Sequence, residues 1–594
     1  MADVTPMMQH YLQTKEEYKD CILFYRLGDF YEMFFDDAKI VSKELELTLT
    51  GKSCGLEERA PMCGVPFHAA ESYINRLVSR GYKVAICEQM EDPKLAKGIV
   101  KREVIRVVTP GTNTDMASLD EAKNNYIMSI VYTEDKYGIA VSDVTTGDFC
   151  TTEVDNERKL LDEISRFCPS EIICNEALYM SGVDIDDLKN RLGITISALD
   201  SWYFGDQLAK ETLLTHFHVQ SLIGLGIADY DSGVIACGAL LKYLYETQKN
   251  SLDNILEIHP YSIGKYMIID SSSRRNLELV ETLREKQKRG SLLWVLDSTR
   301  TSMGRRLLKS YIEQPLLSPA RIMERLDAVE IFVRYSVVLM EITDILDSVY
   351  DIERLMTRVM YKTATPRDLK ALSSTSEKLP LLKEQLSKLE SSKLISKYNS
   401  DIDTLENISN LIENAINDEP PVSVKDGGVI KEGFNQELDR LRHIMTHGKE
   451  IIDGIEQRER EATGIKNLKI GYNRVFGYYI EVTRSYYSLV PPAYIRKQTL
   501  ANSERFITEE LKNAENSILS AKDKALSLEA DIFAEVRDYL STQLEKVQRT
   551  AEAVASIDVL ASFADTALKN QYVKPDISID GVIDIKAGRH PVIE

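Results

Sequence analysis

The sequence predicts a multidomain protein, α/β in its first part and mainly α-helical in its second. Three observations carry that expectation. The chain has 594 residues, which at roughly 100 to 200 residues per domain makes about four domains. Residues 1–260 hold short, β-branched segments bounded by turn residues. The remainder holds long windows free of Gly and Pro, the residues that interrupt helices. Hydrophobic content of 43% with 28% charged residues is ordinary for a soluble globular protein. No run of about 18 uncharged apolar residues is present to span a membrane.

The elements follow in order. Segment 24–38, FYRLGDFYEMFFDDA, places six aromatics in fifteen residues. Gly28 allows a sharp turn, and in the strand after it Phe30 and Glu32 share one face. Segments 84–88, 139–144 and 171–174 read as strands. Residues 137–154 read as a hairpin with Gly147 in its turn. The polar loop 109–125, with its Pro-Gly turn, marks a boundary, and 250–262 marks a second. Windows 381–419 and 493–574 contain neither Gly nor Pro. Within the latter, Ile507, Leu511, Ala514, Ile518, Ala521, Ala525 and Leu528 recur at spacings of three and four, an amphipathic stripe. One helix over about 503–550 would be roughly 70 Å long. It needs a long partner, and 435–462 supplies one. Between them 466–490 is aromatic and β-branched, which suggests a small β module held on two antiparallel helices.

Charge divides the function classes. Lys+Arg is 73 and Asp+Glu 93, a net charge of -20. That excludes a protein holding nucleic acid by overall positive charge, but not one with basic islands. Residues 466–502 form such an island: Lys466, Lys469, Arg474, Arg484, Arg496 and Lys497 face one acid, Glu481. Tyrosines 472, 478, 479, 486, 487 and 494 are interleaved. Such side chains bind phosphates and position a duplex without reading its sequence. The alternative is a solvated strand face whose tyrosines pack inward. A second island, 284–306, carries seven bases and two acids in predicted helix, where a solvated face is the plainer reading. The pair Phe30 and Glu32 has two readings as well. Phe can wedge between bases and a carboxyl group can hydrogen-bond a base edge. An ionised Glu alone would repel DNA, so it would act protonated or through a donor on the base. Otherwise the pair is a core strand with one solvated Glu.

Other constellations carry less. His443 and His447 share a helix face, but no third metal ligand is evident. Asp143 and Asp148 in the 137–154 hairpin could hold Mg²⁺ in a nuclease if further acids converged on them, and a turn role for Asp148 is the simpler reading. Gly51-Lys52-Ser53 matches the end of a phosphate loop, but the first glycine would fall at Glu46, so the motif fails. The eight cysteines form no C-x-x-C and read as buried small hydrophobes of a reduced cytoplasmic protein. A purely structural helical scaffold, marked by the absence of salt-dependent DNA binding, is the remaining alternative class.

The segment FYRLGDFYEMFFDDA resembles the mismatch-reading motif of the MutS family of DNA mismatch repair proteins. Further stretches match in the same order: 60–93, 102–112, 137–149, 271–316, 471–483, 495–511 and 588–594. The resemblance covers the whole chain. It implies a mixed α/β mismatch-binding domain over 1–115 and an RNase H-like connector over 125–250. A helical core over 260–425 and 540–570 follows, with long coiled-coil-like levers. A clamp over 430–540 carries a small β tip at about 466–502, and 571–594 resembles the start of an ATPase domain. Phe30 resembles the family phenylalanine that stacks on a mispaired base, and Glu32 the glutamate that hydrogen-bonds it. Arg474, Arg496, Lys497 and Asn502 fall in segments resembling the clamp that contacts the DNA backbone.

The implied function is recognition of mismatched or unpaired bases in duplex DNA, initiating repair by Phe wedge insertion and DNA bending. The implied partners are double-stranded DNA with mismatches or small loops, a second copy in a homodimer, MutL and the replication sliding clamp, in the cytoplasm at the nucleoid. Family members continue into an ATPase domain using ATP and Mg²⁺. This sequence has no Walker A or Walker B motif, so we read it as cut short of that domain and expect no ATP hydrolysis by this chain alone. No catalytic residue and no metal ligand is expected in it. The mismatch-binding segment distinguishes the chain from relatives acting on recombination or stalled-ribosome substrates.

Overall fold

The computed structural model describes residues 4–55, 58–91, 98–389, 391–473, 477–500 and 502–594. Among them are 19 α-helices and three β-sheets, a mixed α/β chain. It divides into two units, one made of Met1–Tyr361, Lys378–Thr404 and Gln543–Glu594, the other of Lys362–Glu377 and Leu405–Thr542.

The first unit opens with a six-stranded sheet. Its strands are β1 (Cys21–Leu27), β2 (Phe30–Phe34), β3 (Thr50–Lys52), β4 (Ala60–Pro66), β5 (Lys83–Gln89) and β6 (Arg102–Val108), in the order β3-β4-β2-β1-β5-β6. Only β1 and β5 pair in parallel. Its central strand β1 is enclosed on both faces, which explains the unbroken apolar run CILFY there. Ile22, Phe24, Tyr31 and Met33 pack under the helices Phe35–Leu45 and Ala70–Val78. Leu23, Tyr25 and Phe34 pack under the helix Pro6–Glu17 through Met8 and Tyr11. The rings of Tyr11 and Phe34 meet edge to face at 4.9 Å.

The second sheet holds β7 (Tyr126–Thr133), β8 (Lys136–Asp143), β9 (Asp148–Val154), β10 (Glu171–Cys174), β11 (Thr195–Ala198) and β12 (His259–Pro260), in the order β11-β10-β7-β8-β9-β12. The expected hairpin is present: β8 and β9 pair up to Asp143 opposite Asp148, and Gly147 in the turn has φ +86°. The helix Asp231–Gln248 lies so close on this sheet that a Cβ at Gly138 would fall 2.1 Å from the Ser232 carbonyl oxygen. Leu252, Ile255 and Ile258 share that core, and β12 extends the sheet, so this block continues through the 250–262 segment.

The helices of this unit surround Leu544–Asn570, whose Val547, Ala551, Val554, Ile557, Val559, Leu560 and Ala561 are buried. It packs on Ser302–Glu313, Pro319–Arg334, Ile352–Met360 and Lys393–Asp401. The buried Asp558 carboxylate accepts from the Arg300 and Thr301 amides and the Thr301 hydroxyl. Burial pushes its pKa up to about 6, against the pull of those donors.

Two helical expectations need correction. The 284–306 island is not one helix. It runs through irregular chain, with Gly290 at φ +93°, to the short helix Leu292–Leu296 capped by Ser291, and then to Ser302–Glu313 capped by Thr301. Nor is it a uniform solvated face: Arg306 is buried and forks onto Asp351 at 2.6 and 2.9 Å and Glu353 at 2.6 Å. The single helix expected over 503–550 is two. Ser503–Ile507 is a strand, and Thr508 caps the helix Glu509–Ser541 by accepting from the Leu511 amide. The helix stops at Thr542 and Gln543, where Ser541 and Thr542 hydroxyls donate to the carbonyls of Asp538 and Tyr539. Such local bonds end a helix that carries no Gly or Pro to announce the break.

In the second unit Gln436–Thr463 pairs with Glu509–Ser541. Arg442 meets Glu529 at 2.7 Å, Gly448 faces Ile518, and Arg458 meets Glu510, so the helices run antiparallel. They carry a four-stranded antiparallel sheet, β13 (Lys469–Asn473), β14 (Gly477–Thr483), β15 (Ile495–Thr499) and β16 (Ser503–Ile507), in the order β13-β14-β16-β15. Its core is one-sided: Ile480, Val482, Phe506 and Ile507 pack with Ile465, Leu468 and Leu511.

Candidate nucleic-acid interface

The first candidate surface grows from the β1–β2 hairpin. Leu27 pairs with Phe30, leaving Gly28 and Asp29 as a two-residue loop. Such a loop needs a left-handed first residue, and Gly28 has φ +59°. The hairpin is held from one side. Arg26 meets Glu88 at 3.0 Å, the Tyr31 hydroxyl donates to the same carboxylate, and the Arg26 guanidinium stands 3.8 Å from the centre of the Phe67 ring. The Phe67 amide donates to the Asp29 carbonyl at 2.9 Å.

From this fixed frame Phe30 and Glu32 project on the opposite face. Tyr31, Met33 and Phe34 are buried, whereas Phe30 is 46% exposed. The Glu32 side chain is 17% exposed, and its Oε2 receives a hydrogen bond from Lys52 Nζ at 2.5 Å. The residue paired with Glu32 in β4 is Gly64. A Cβ there would lie 3.2 Å from the Tyr31 carbonyl oxygen and 3.5 Å from Glu32 Cγ, so the glycine keeps this face low. Lys52 was seen in the sequence only as part of a failed phosphate loop. It ends the edge strand β3, and its ammonium also stands 5.7 Å from the Phe34 ring centre. No periodic signal marks it, because it lies 20 positions beyond Glu32 with a helix between them.

The second surface is the β13–β16 sheet. Lys466, Lys469, Arg484, Arg496, Lys497 and Asn502 are exposed; Arg474 lies outside the described residues. Arg496 is not free: its Nη1 meets Glu504 Oε1 at 3.3 Å. Arg505, just past the island, meets Glu481 at 3.2 Å and stands 4.1 Å from the Tyr479 ring centre. It offsets the one acid of the stretch. The tyrosines divide between packed and exposed. Tyr494 is buried and donates to Glu459 at 2.5 Å, and Tyr478, Tyr486 and Tyr487 pack on the core. Tyr472 is 54% exposed.

The nuclease carboxylates have structural work. Asp143 is buried and accepts from the Asn125 and Thr145 amides at 3.0 and 2.8 Å, fastening the 109–125 loop to the sheet. Asp148 faces a cavity of about 550 Å³ that Arg306, Glu353, Gln548 and Glu552 also line. Asp148 is itself exposed at the cavity wall, and partial desolvation by the protein around it, with next the Asp143 charge, pushes its pKa up. The rings of His443 and His447 stack at 3.7 Å. Among the described residues no three His, Cys, Asp or Glu side chains converge to hold a metal ion, and no helix is long and apolar enough to cross a membrane.

Comparison with known proteins adds the family. Three family descriptions match in order: MutS domain I over 5–117, MutS domain II over 125–256 and MutS domain III over 272–564. A DNA mismatch repair protein MutS of Lachnoclostridium phytofermentans is 57% identical over all of this chain, which spans 64% of that relative. Proteins of the same name from Ruminiclostridium cellulolyticum and Acetivibrio thermocellus are 54% and 53% identical, again over all of this chain and 68% of their own lengths. With three successive domain matches and relatives more than half identical from end to end, the chain belongs to the MutS family of DNA mismatch repair proteins.

Proposed function

We propose that this chain binds mismatched or unpaired bases in duplex DNA and so initiates mismatch repair. The observation that carries the reading is Phe30, a large apolar ring left 46% exposed beside the hairpin turn of a strand whose Tyr31, Met33 and Phe34 are buried. Mismatch recognition has no sequence to read, since an error arises anywhere. What remains is the ease of bending and unstacking. Inserting Phe30 into a base step costs a few kcal/mol of stacking, and less where the pair is already imperfect. The resulting preference is about 1–3 kcal/mol, roughly 5- to 150-fold. Glu32 then accepts a hydrogen bond from the displaced base. Arg496, Lys497 and Asn502 contact phosphates, holding the duplex without reading it, and Arg474 has the same role by resemblance.

The domain reading follows the same likeness: mismatch-binding segment 1–115, RNase H-like connector 125–250, helical core 260–425 and 540–570, clamp 430–540. The partners proposed are a second copy of the chain, MutL and the replication sliding clamp, in the cytoplasm. ATP and Mg²⁺ belong to the family's cycle, but the residues present do not fit them. No G-x-x-x-x-G-K-S/T occurs in 1–594, so no step here passes through ATP. The direct test is binding of one duplex, matched and with a single mismatch, at several salt concentrations. A mismatched-to-matched ratio above about 5 supports the reading; a ratio of one for the wild-type chain rejects it.

A further inference from the structure

We infer that Lys52 is a specificity-determining residue: it holds Glu32 in place and offsets its charge, so that a carboxylate can stand beside Phe30 against DNA. The inference rests on the proposed reading of Phe30 and Glu32 and extends it to a residue outside their motif. Three observations carry it. Lys52 Nζ lies 2.5 Å from Glu32 Oε2, and the two side chains are 32% and 17% exposed, a half-buried pair rather than a solvated one. Lys52 sits at the end of an edge strand, with its ammonium 5.7 Å from the Phe34 ring centre, so it reaches inward across the face that Phe30, Glu32 and Phe34 share. Gly64 stands opposite Glu32 in β4 and leaves the carboxylate uncovered from that side.

The physical need is plain. Duplex DNA carries one negative charge for about every 1.7 Å of its axis. A lone carboxylate brought to it is repelled and free to swing away. An ammonium bonded to one oxygen cancels the charge and fixes the rotamer. The second oxygen, Oε1, keeps its lone pairs for an N–H of the displaced base. Lys52 therefore acts on discrimination through Glu32, which makes it a positioning residue rather than one more phosphate contact.

The test is a double-mutant cycle on the whole chain, reading affinity for matched and singly mismatched duplexes. Lys52→Met should lower the mismatched-to-matched ratio about five- to tenfold while matched-duplex affinity stays within about twofold. In a Glu32→Gln background, Lys52→Met should add less than about twofold, because no charge remains to offset. Lys52→Arg should keep the ratio within about twofold of wild type, a rescue that also shows the fold intact. Equal losses on both duplexes with a flatter salt slope would make Lys52 a phosphate contact only and overturn the inference. So would additive losses in the double mutant. Phe30→Ala separates the two levels. If it abolishes preference while Lys52→Met leaves preference untouched, the site reading stands and this inference fails. A wild-type chain without preference defeats both.

Discussion

The N-terminal sheet and the β13–β16 sheet both show side chains to solvent, but exposure differs in meaning between them. β1 and β2 are covered on both faces, so an exposed Phe30 departs from everything packed around it. The β13–β16 sheet has a core on one face only, and exposure of its basic residues is the default. On the proposed reading, the wedge shows itself as a violation of local packing, and the phosphate-binding surface only as a local balance of charge, here +5 over 466–502 in a chain of -20.

The largest effect is expected inside the two-sided sheet. Leu23 is fully buried, and Leu23→Ala should destabilise that sheet by about 2–5 kcal/mol. Hydrogen exchange of the β1 amides measures this, and a change under about 1 kcal/mol would mean that the enclosure is loose. Phe30→Ala should remove the mismatch preference, about 1–3 kcal/mol, while leaving the stability of the sheet within about 0.5 kcal/mol. Equal affinity ratios for mutant and wild type would end its role as a wedge. Gly28→Val places a β-branched residue at φ +59° and should loosen the hairpin by about 1–2 kcal/mol. Faster exchange at β2, with a reduced mismatch ratio, is the expected pair of readouts; a reduced ratio without faster exchange would point to direct contact instead. The smallest effect belongs to the other surface. Arg496→Ala or Lys497→Ala should weaken matched and mismatched duplexes alike and flatten the salt slope by about 1 each. An unchanged slope would take those residues off the phosphate backbone.

The sequence was readable where spacing alone decides geometry. Alternation put Phe30 and Glu32 on one strand face, and Gly28 and Gly147 marked turns that the structure contains. The charge of 466–502 was visible without any fold. Pairings across long sequence gaps were not. Lys52 reaches Glu32 only because β3 and β2 flank β4. Arg496 meets Glu504 because β15 folds back on β16. The break at Thr542 and Gln543 was equally hidden, since hydroxyl back-bonding ends a helix in a stretch that keeps helical spacing. The 284–306 segment misled for the opposite reason: its lysines and arginines favour helix, yet Gly290 and the Ser291 and Thr301 caps divide it.

The burial of Leu544–Asn570 has a consequence in time. The Thr301 amide finds its acceptor in Asp558, 2.7 Å away but 257 positions later in the chain. At about 5–20 residues per second, a ribosome needs on the order of tens of seconds to cover that gap. Through that interval the helices made early wait with their central partner unmade, and all of Leu405–Thr542 is synthesised before that partner follows. The nascent first unit therefore carries uncovered apolar helix faces until Leu544–Asn570 is made. Its need for chaperones during synthesis should be set by this late helix, not by either sheet.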